Sequence, residues 1–260
     1  MSYRSLFAKL VVVGLTLLAT SDGRRAAGQS TPAKQLDERI AELREAVRLR
    51  PQSDTAHQEL GNALLTKGAL DEAVASFREA LRLNPTNVPA FEGLGVALHR
   101  QGKPAEAEAC CRQAVRLDPN SARAHTNLGV TLSAQGKRAE AVACYRKAIE
   151  LDPKNVPAHS NLGNALREQG DLPGALACYR KAIELDPKSA EAHHRLGRGL
   201  QDVGRLDEAV ACYRAAIALD PKSAAVFRSL GNALKSSGRV AEAEEAYRRA
   251  RELERRDGKK

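Results

Sequence analysis

Residues 155–187 read NVPAHSNLGNALREQGDLPGALACYRKAIELDP, and this stretch holds two helices together with the signals that start and stop them. Asn155 stands just before the first apolar-periodic run, where its side chain can accept from the orphan amides of a first turn. Gly170 follows that run, at the place where a left-handed cap conformation costs least. Pro187 closes the second run, because the residue before a proline is pushed out of the α region. Between these marks Leu162 and Leu166, then Ala175, Tyr179, Ala182 and Ile183, recur at helical spacing, so each helix carries one apolar face and one charged face.

The stretch recurs. Leu162-Gly163 reappears as Leu60-Gly61, Leu94-Gly95, Leu128-Gly129, Leu196-Gly197 and Leu230-Gly231, a period of 34 residues without a gap. Six units follow, 54–87, 88–121, 122–155, 156–189, 190–223 and 224–257. Their caps are Ser53, Asn87, Ser121, Asn155, Ser189 and Ser223, and the glycines ending the first helices are Gly68, Gly102, Gly136, Gly170, Gly204 and Gly238. Residues 36–53 read as the second helix of a degenerate earlier unit, 29–35 as a linker and 258–260 as a tail. One helix pair buries too little surface to stand alone, so neighbouring pairs must stack to complete a core. An all-α solenoid of helix-turn-helix units is expected.

Composition agrees: the chain is 43% hydrophobic and 28% charged, with 3% aromatic residues and no Trp, which favours helix and offers little for a sheet core. The first residues differ from the rest. Arg4 and Lys9 precede an apolar run from Leu10 to Ala19, and small residues follow at Ala19-Thr20-Ser21 and Ala26-Ala27-Gly28, the order of a secretory signal peptide over 1–28. The run is shorter than the roughly 20 residues a bilayer-spanning helix needs. Export to the periplasm or the cell exterior is therefore expected, with membrane contact only in transit; an uncleaved segment would instead tether the chain. Of the formal net charge of +9, this segment carries +3, and the rest is interleaved with Glu along the helices, the pattern of a solvated surface and not of a nucleic-acid patch.

Leu-Gly, a Leu three residues on, a capping Gly, Ala, an aromatic (Phe77, Tyr145, Tyr179, Tyr213, Tyr247), Ala and Pro, all in one phase, resemble the tetratricopeptide repeat over about residues 36–257. The resemblance implies a right-handed α-solenoid whose first helices line a concave, protein-binding groove. Departures are Cys111 in the aromatic slot, and His57, Phe91, His125, His159, His193 and Phe227 where the family often has Trp. Arg251 and Arg255 replace an apolar residue and Pro in the last unit, which suits a final helix facing water. The wording of Ala158 to Asn164 is similar to the array of protein O-linked N-acetylglucosamine transferases, but no glycosyltransferase part follows here and no activity is carried over.

Cys110, Cys144, Cys178 and Cys212 occupy one repeat position, so neighbours should lie on the order of 10 Å apart, beyond the roughly 7 Å that a disulfide tolerates between Cα atoms. Packing is their expected role, and no metal is assigned to them. The recurring His share a position with Phe and read as flat space-fillers. Gly95 to Gly102-Lys103 does not fit a phosphate-binding loop, which needs four residues between its glycines and then Lys and Ser or Thr. No catalytic residue and no cofactor site can be assembled.

What remains is the groove, lined in this family from first-helix positions that here carry Gln58, Glu59, Asn62, Glu92 and Arg123, then Asn127, Ser160, Asn161, Asn164 and Arg167, then His194, Arg195, Arg198, Arg228 and Asn232. Asn127 and Asn161 match residues that in transferase-type arrays form an asparagine ladder along a peptide backbone, since an amide both donates and accepts. Glu59, Gly93, Arg195 and Ser229 interrupt that ladder. The two-carboxylate clamp of chaperone-binding members maps onto no run of units. Glu59 and Glu92 lie towards one end of the groove and Arg195, Arg198 and Arg228 towards the other, so an acidic or carboxylate-bearing peptide is expected at the C-terminal half. The reading is a non-catalytic protein-interaction scaffold. Two alternatives are a self-associating envelope protein using the convex Arg78, Arg112, Arg146, Arg180, Arg214 and Arg248, and a detached substrate-binding arm of a glycosyltransferase.

Overall fold

The computed structural model describes residues 31–257, and among them the chain forms thirteen helices and no strand. After α1 (Pro32–Leu49) come six antiparallel pairs: α2 (Asp54–Lys67) with α3 (Leu70–Leu83), α4 (Val88–Arg100) with α5 (Pro104–Leu117), α6 (Ala122–Ala134) with α7 (Arg138–Leu151), α8 (Val156–Glu168) with α9 (Leu172–Leu185), α10 (Ala190–Asp202) with α11 (Leu206–Leu219), and α12 (Ala224–Ser236) with α13 (Val240–Asp257). The expected signal segment, 1–28, and the tail, 258–260, lie outside the described residues. No described helix is long and apolar enough to cross a membrane.

Local chemistry fixes the ends. Ser53, Asn87, Ser121, Asn155 and Ser189 each accept the backbone N–H three residues on, at 2.9–3.2 Å, while Ser223 has the cap backbone without the side-chain bond. The six capping glycines take φ between 74° and 85°. One boundary is corrected: α1 begins at Pro32, inside the stretch expected as a linker, because Thr31 caps it through Lys34 N at 3.3 Å and proline suits the first helical position.

Each second helix packs on its own first helix and on the first helix of the next unit. First helices also approach the next first helix closely, from α2·α4 through α10·α12, whereas among the described residues successive second helices stay further apart in backbone and meet through long side chains. First helices are therefore the crowded, inner side of the curve, and they line its concave face.

The aromatic of each second helix makes the close approach possible. The ring of Tyr179, fully buried, lies over Gly163, where a Cβ would stand 2.6 Å from Cε1. The same contact joins Tyr145 to Gly129 and Tyr213 to Gly197. At α5 the slot holds Cys111, and there the apolar core divides into two clusters, one ending at Ala107 and Cys110, the other beginning at Cys111. The neighbouring Thr131, buried against Cys111 at 3.7 Å, takes up room that the missing ring leaves. In α13, Ala243, Ala246 and Ala250 are buried while Glu244, Glu245, Arg248 and Arg251 are exposed, so its outer face meets water.

The recurring histidines do more than fill space. Nε2 of His57, His125, His159 and His193 donates to the carbonyl of Pro51, Pro119, Pro153 and Pro187 at 3.0–3.2 Å, tying each first helix to the turn before it. The five cysteines are free; burial pushes the Cys111 thiol up to about 11, and raises the other four as well. On the convex face Arg78, Arg112 and Arg214 pair with Glu106, Glu140 and Glu242, each 28 residues on, at 2.9–3.1 Å, so much of that arginine stripe ties one unit to the next.

Candidate binding groove

Because first helices form the inner face, residues at their fifth, sixth and ninth unit positions come together along one groove. Most of the expected residues fall into five local groups. Asn62 and Asn127 meet Gln58, Glu92, Gly93 and Arg123 around a cleft of about 450 Å³ at the N-terminal end. Asn161 and Arg195 meet in the middle, where Arg195 Nη1 donates to Asn161 Oδ1 at 3.2 Å and Arg195 Nε to Glu191 Oε1 at 2.7 Å. Asn164 Oδ1 accepts the hydroxyl of Tyr179 at 2.7 Å, and Asn232 Oδ1 that of Tyr247 at 2.7 Å. His194 is half-buried, 3.0 Å from Ser229 Oγ and tilted against the Tyr213 ring with centroids 5.7 Å apart.

Two expectations about charge change. Arg195 is satisfied by Glu191, and Arg228 pairs with Glu254 of α13, so neither stands open to an acidic ligand. Among the described residues, Arg198 is the exposed groove arginine of this half that forms no ion pair; Arg167 pairs with Asp202 at 2.9 Å. His194 belongs mainly to the joint between α10 and α12. Desolvation by burial lowers its pKa, with Arg198 and Arg195 acting the same way and Glu191 opposing, so the ring is neutral at neutral pH.

Sequence reasoning missed what the tyrosine hydroxyls do. Burial raises Tyr179 above the ordinary phenol range, keeping it a protonated donor. It and Tyr247 occupy the amide oxygens of Asn164 and Asn232, and Arg195 occupies that of Asn161. Among the described residues none of these three amide nitrogens has a partner, so each presents its N–H groups to whatever enters the groove. The spacing of Tyr179 and Asn164, 15 residues apart and repeated in Tyr247 and Asn232, was the signal that could have found it.

Sequence families described as tetratricopeptide repeat match residues 88–154, 144–177 and 194–258, and one described as TPR repeat matches 61–102 and 163–198. The chain belongs to the tetratricopeptide-repeat family. Among solved structures, this tetratricopeptide-repeat protein is similar to one described as MamA, at 25% identity and TM-score 0.58 over 64% of this chain and 98% of that one. A second MamA structure gives 27% identity and TM-score 0.53, over 65% and 92%. The APC/C hetero-tetramer Cut9-Hcn1 gives TM-score 0.77 at 17% identity, over 85% of this chain and 44% of that one, and shows the fold alone. No curated protein matches the chain significantly in sequence. Its architecture is that of a protein-interaction scaffold.

Proposed function

We propose that this tetratricopeptide-repeat protein is a non-catalytic scaffold that holds an extended peptide segment of a partner in its concave groove, outside the cytoplasm. The observation that carries the reading is the orientation of Asn161, Asn164 and Asn232, whose oxygens are taken internally and whose N–H groups are left to a ligand. Such a row suits backbone carbonyls, which every peptide offers at regular spacing, and adds affinity without demanding a side-chain sequence. Arg198 beside it, which forms no ion pair among the described residues, gives an acidic side chain or a terminal carboxylate a cation to meet. Export rests on the order of charge, apolar run and small residues in 1–28.

Affinity capture with the immobilised protein tests the groove. A partner that is retained by the native chain and lost by Asn161→Ala/Asn164→Ala/Arg198→Ala supports the reading; a partner held equally by both places the interaction elsewhere. Cell fractionation with N-terminal sequencing of the recovered chain tests export, and recovery in the cytoplasm with Met1 intact overturns it. The self-associating alternative is weakened by the convex arginines already bound to glutamates of the next unit, and a monomer by size measurement at high concentration would remove it.

A further inference from the structure

The N-terminal end of the groove differs in kind from the rest. Glu92, in α4, is 4% exposed, an expensive place for a carboxylate. Its Oε1 accepts the Ser121 hydroxyl at 2.9 Å, but its Oε2 is shielded from solvent and has no hydrogen bond. Arg123 lies against Oε2 as an ion pair without hydrogen-bond geometry, and its own side chain is 68% exposed. Glu92 lines the cleft of about 450 Å³ together with Gln58, Asn62, Asn127 and Arg123, a volume within the range of small-ligand sites. Gly93, on the cleft wall, stands where other units carry a side chain, and the Phe77 ring takes that place: a Cβ there would lie 2.3 Å from its Cζ.

We infer that this cleft is a receptor for one basic side chain, lysine or arginine, of the segment bound in the groove. The inference rests on the proposal that the groove holds an extended peptide. A buried carboxylate whose second oxygen meets only an exposed guanidinium, outside hydrogen-bond geometry, is completed by a donor that brings both a positive charge and a directed N–H, and charge-assisted bonds of this kind are the strong ones. Arg123 supplies the charge without the bond. Because it is mostly in solvent and Glu92 is its recorded ion-pair partner, it swings outward when a ligand cation enters, and the charge of Glu92 stays balanced throughout. The amides of Gln58, Asn62 and Asn127 surround the entering group with acceptors. With Arg198 towards the other end, the groove then reads a segment that is basic at one end and acidic at the other, which fixes its direction.

The test is fluorescence polarisation on the full chain with labelled Ser/Gly/Ala peptides ending in Asp-Glu, carrying a single Arg, Ala or Glu at each successive upstream position. At one spacing the Arg peptide should bind at least about tenfold tighter than the Ala peptide, and the Glu peptide no better than Ala. Glu92→Gln should erase that preference while leaving Arg198-dependent binding of the Asp-Glu end intact. Arg123→Ala, which removes the internal competitor, should tighten the Arg peptide. Equal binding of Arg and Ala peptides with the Asp-Glu end still held would overturn the cleft and leave the groove standing. An Arg preference that survives Glu92→Gln, or an Arg peptide weakened by Arg123→Ala, would also overturn it. Absence of any binding up to about 1 mM, some 4 kcal/mol by the dissociation constant, would overturn cleft and groove together.

Discussion

Replacing Gly163 by Ala puts the stacking logic at risk in a way that a simple helix argument gets wrong in sign. Gly163 is interior to α8, and in an open helix Gly→Ala stabilises by about 0.5–1 kcal/mol. Here the new methyl would stand 2.6 Å from Cε1 and 2.8 Å from Cδ1 of Tyr179, against about 3.5–4.0 Å for relaxed carbon contacts. The ring cannot step aside, since it is fully buried and its hydroxyl is held by Asn164. Overpacking of this kind costs about 1–3 kcal/mol and more where neighbours are fixed, so a net loss of about 1–3 kcal/mol is expected. Gly95→Ala supplies the control. Its Cβ would meet the Cys111 Sγ at 2.6 Å, a single atom that can rotate about one bond, so the loss should stay within about 1 kcal/mol.

Urea melts followed by circular dichroism read both variants, with midpoints compared at equal slope. A double-mutant cycle sharpens the test: Tyr179→Cys rebuilds at α9 the pair found at α5, and in that background Gly163→Ala should cost much less than in the native chain. Stabilisation by Gly163→Ala alone, or the same loss at Gly95 and Gly163, would refute the claim that the ring sets the close approach of the two helices.

Ser189→Ala removes a bonded cap and should cost about 1 kcal/mol in the same melts, whereas Ser223→Ala removes a side chain that makes no cap bond and should cost a few tenths at most. Lys137 holds the Glu108 carboxyl down to about 2, against 4.5 for the free group, with Arg112 also lowering it and burial opposing. Because the folded value is the lower one, the stability it contributes is complete above about pH 5 and drains away as pH falls towards 2; Lys137→Met should remove roughly 1–2 kcal/mol of that acid dependence, measured as the difference between melts at neutral and acid pH. Tyr179→Phe keeps the ring and deletes the hydroxyl donated to Asn164, so it should cost about 1 kcal/mol and weaken any groove ligand that depends on the Asn164 amide; unchanged ligand affinity would show that the amide orientation does not matter.

Periodicity made most of this fold legible. The caps and the left-handed glycines are local signals stated again in each of the six units, and the closing prolines in five of them, so an error in one is corrected by its neighbours. The start of α1 had no such support. Thr31-Pro32 is a readable cap and first turn, but it stands alone beside the N-terminal segment, with no repeated counterpart to mark it as a helix start. The groove was legible as a set of positions and much less as chemistry. Arg195 and Glu191 sit four apart on one helix, so their pairing could be anticipated, yet Arg228 finds Glu254 from the next helix, and no spacing rule announces that. The burial of Glu92 follows from Ser121, the cap of the next unit, which doubles as its hydrogen-bond donor.

These pairings share a geometry that bears on how the groove is built. Asn161 with Arg195 and His194 with Ser229 join one unit to the next, and Glu92 with Ser121 and Thr126 with Asn155 join a first helix to the cap of the following one, at separations of 29 to 35 residues. Part of the groove's chemistry is thus shared between adjacent units, whereas Asn164 and Asn232 are oriented by tyrosines of their own units. A unit moved to another place in the array would keep its core contacts and its own tyrosine–asparagine pair, and lose the groove contacts that depend on the particular neighbour. Stability in such a stack is a sum of unit and interface terms, and a ligand that breaks one junction bond must replace it. The Arg123–Glu92 contact is the junction where the bond is already incomplete, so a ligand has least to displace there.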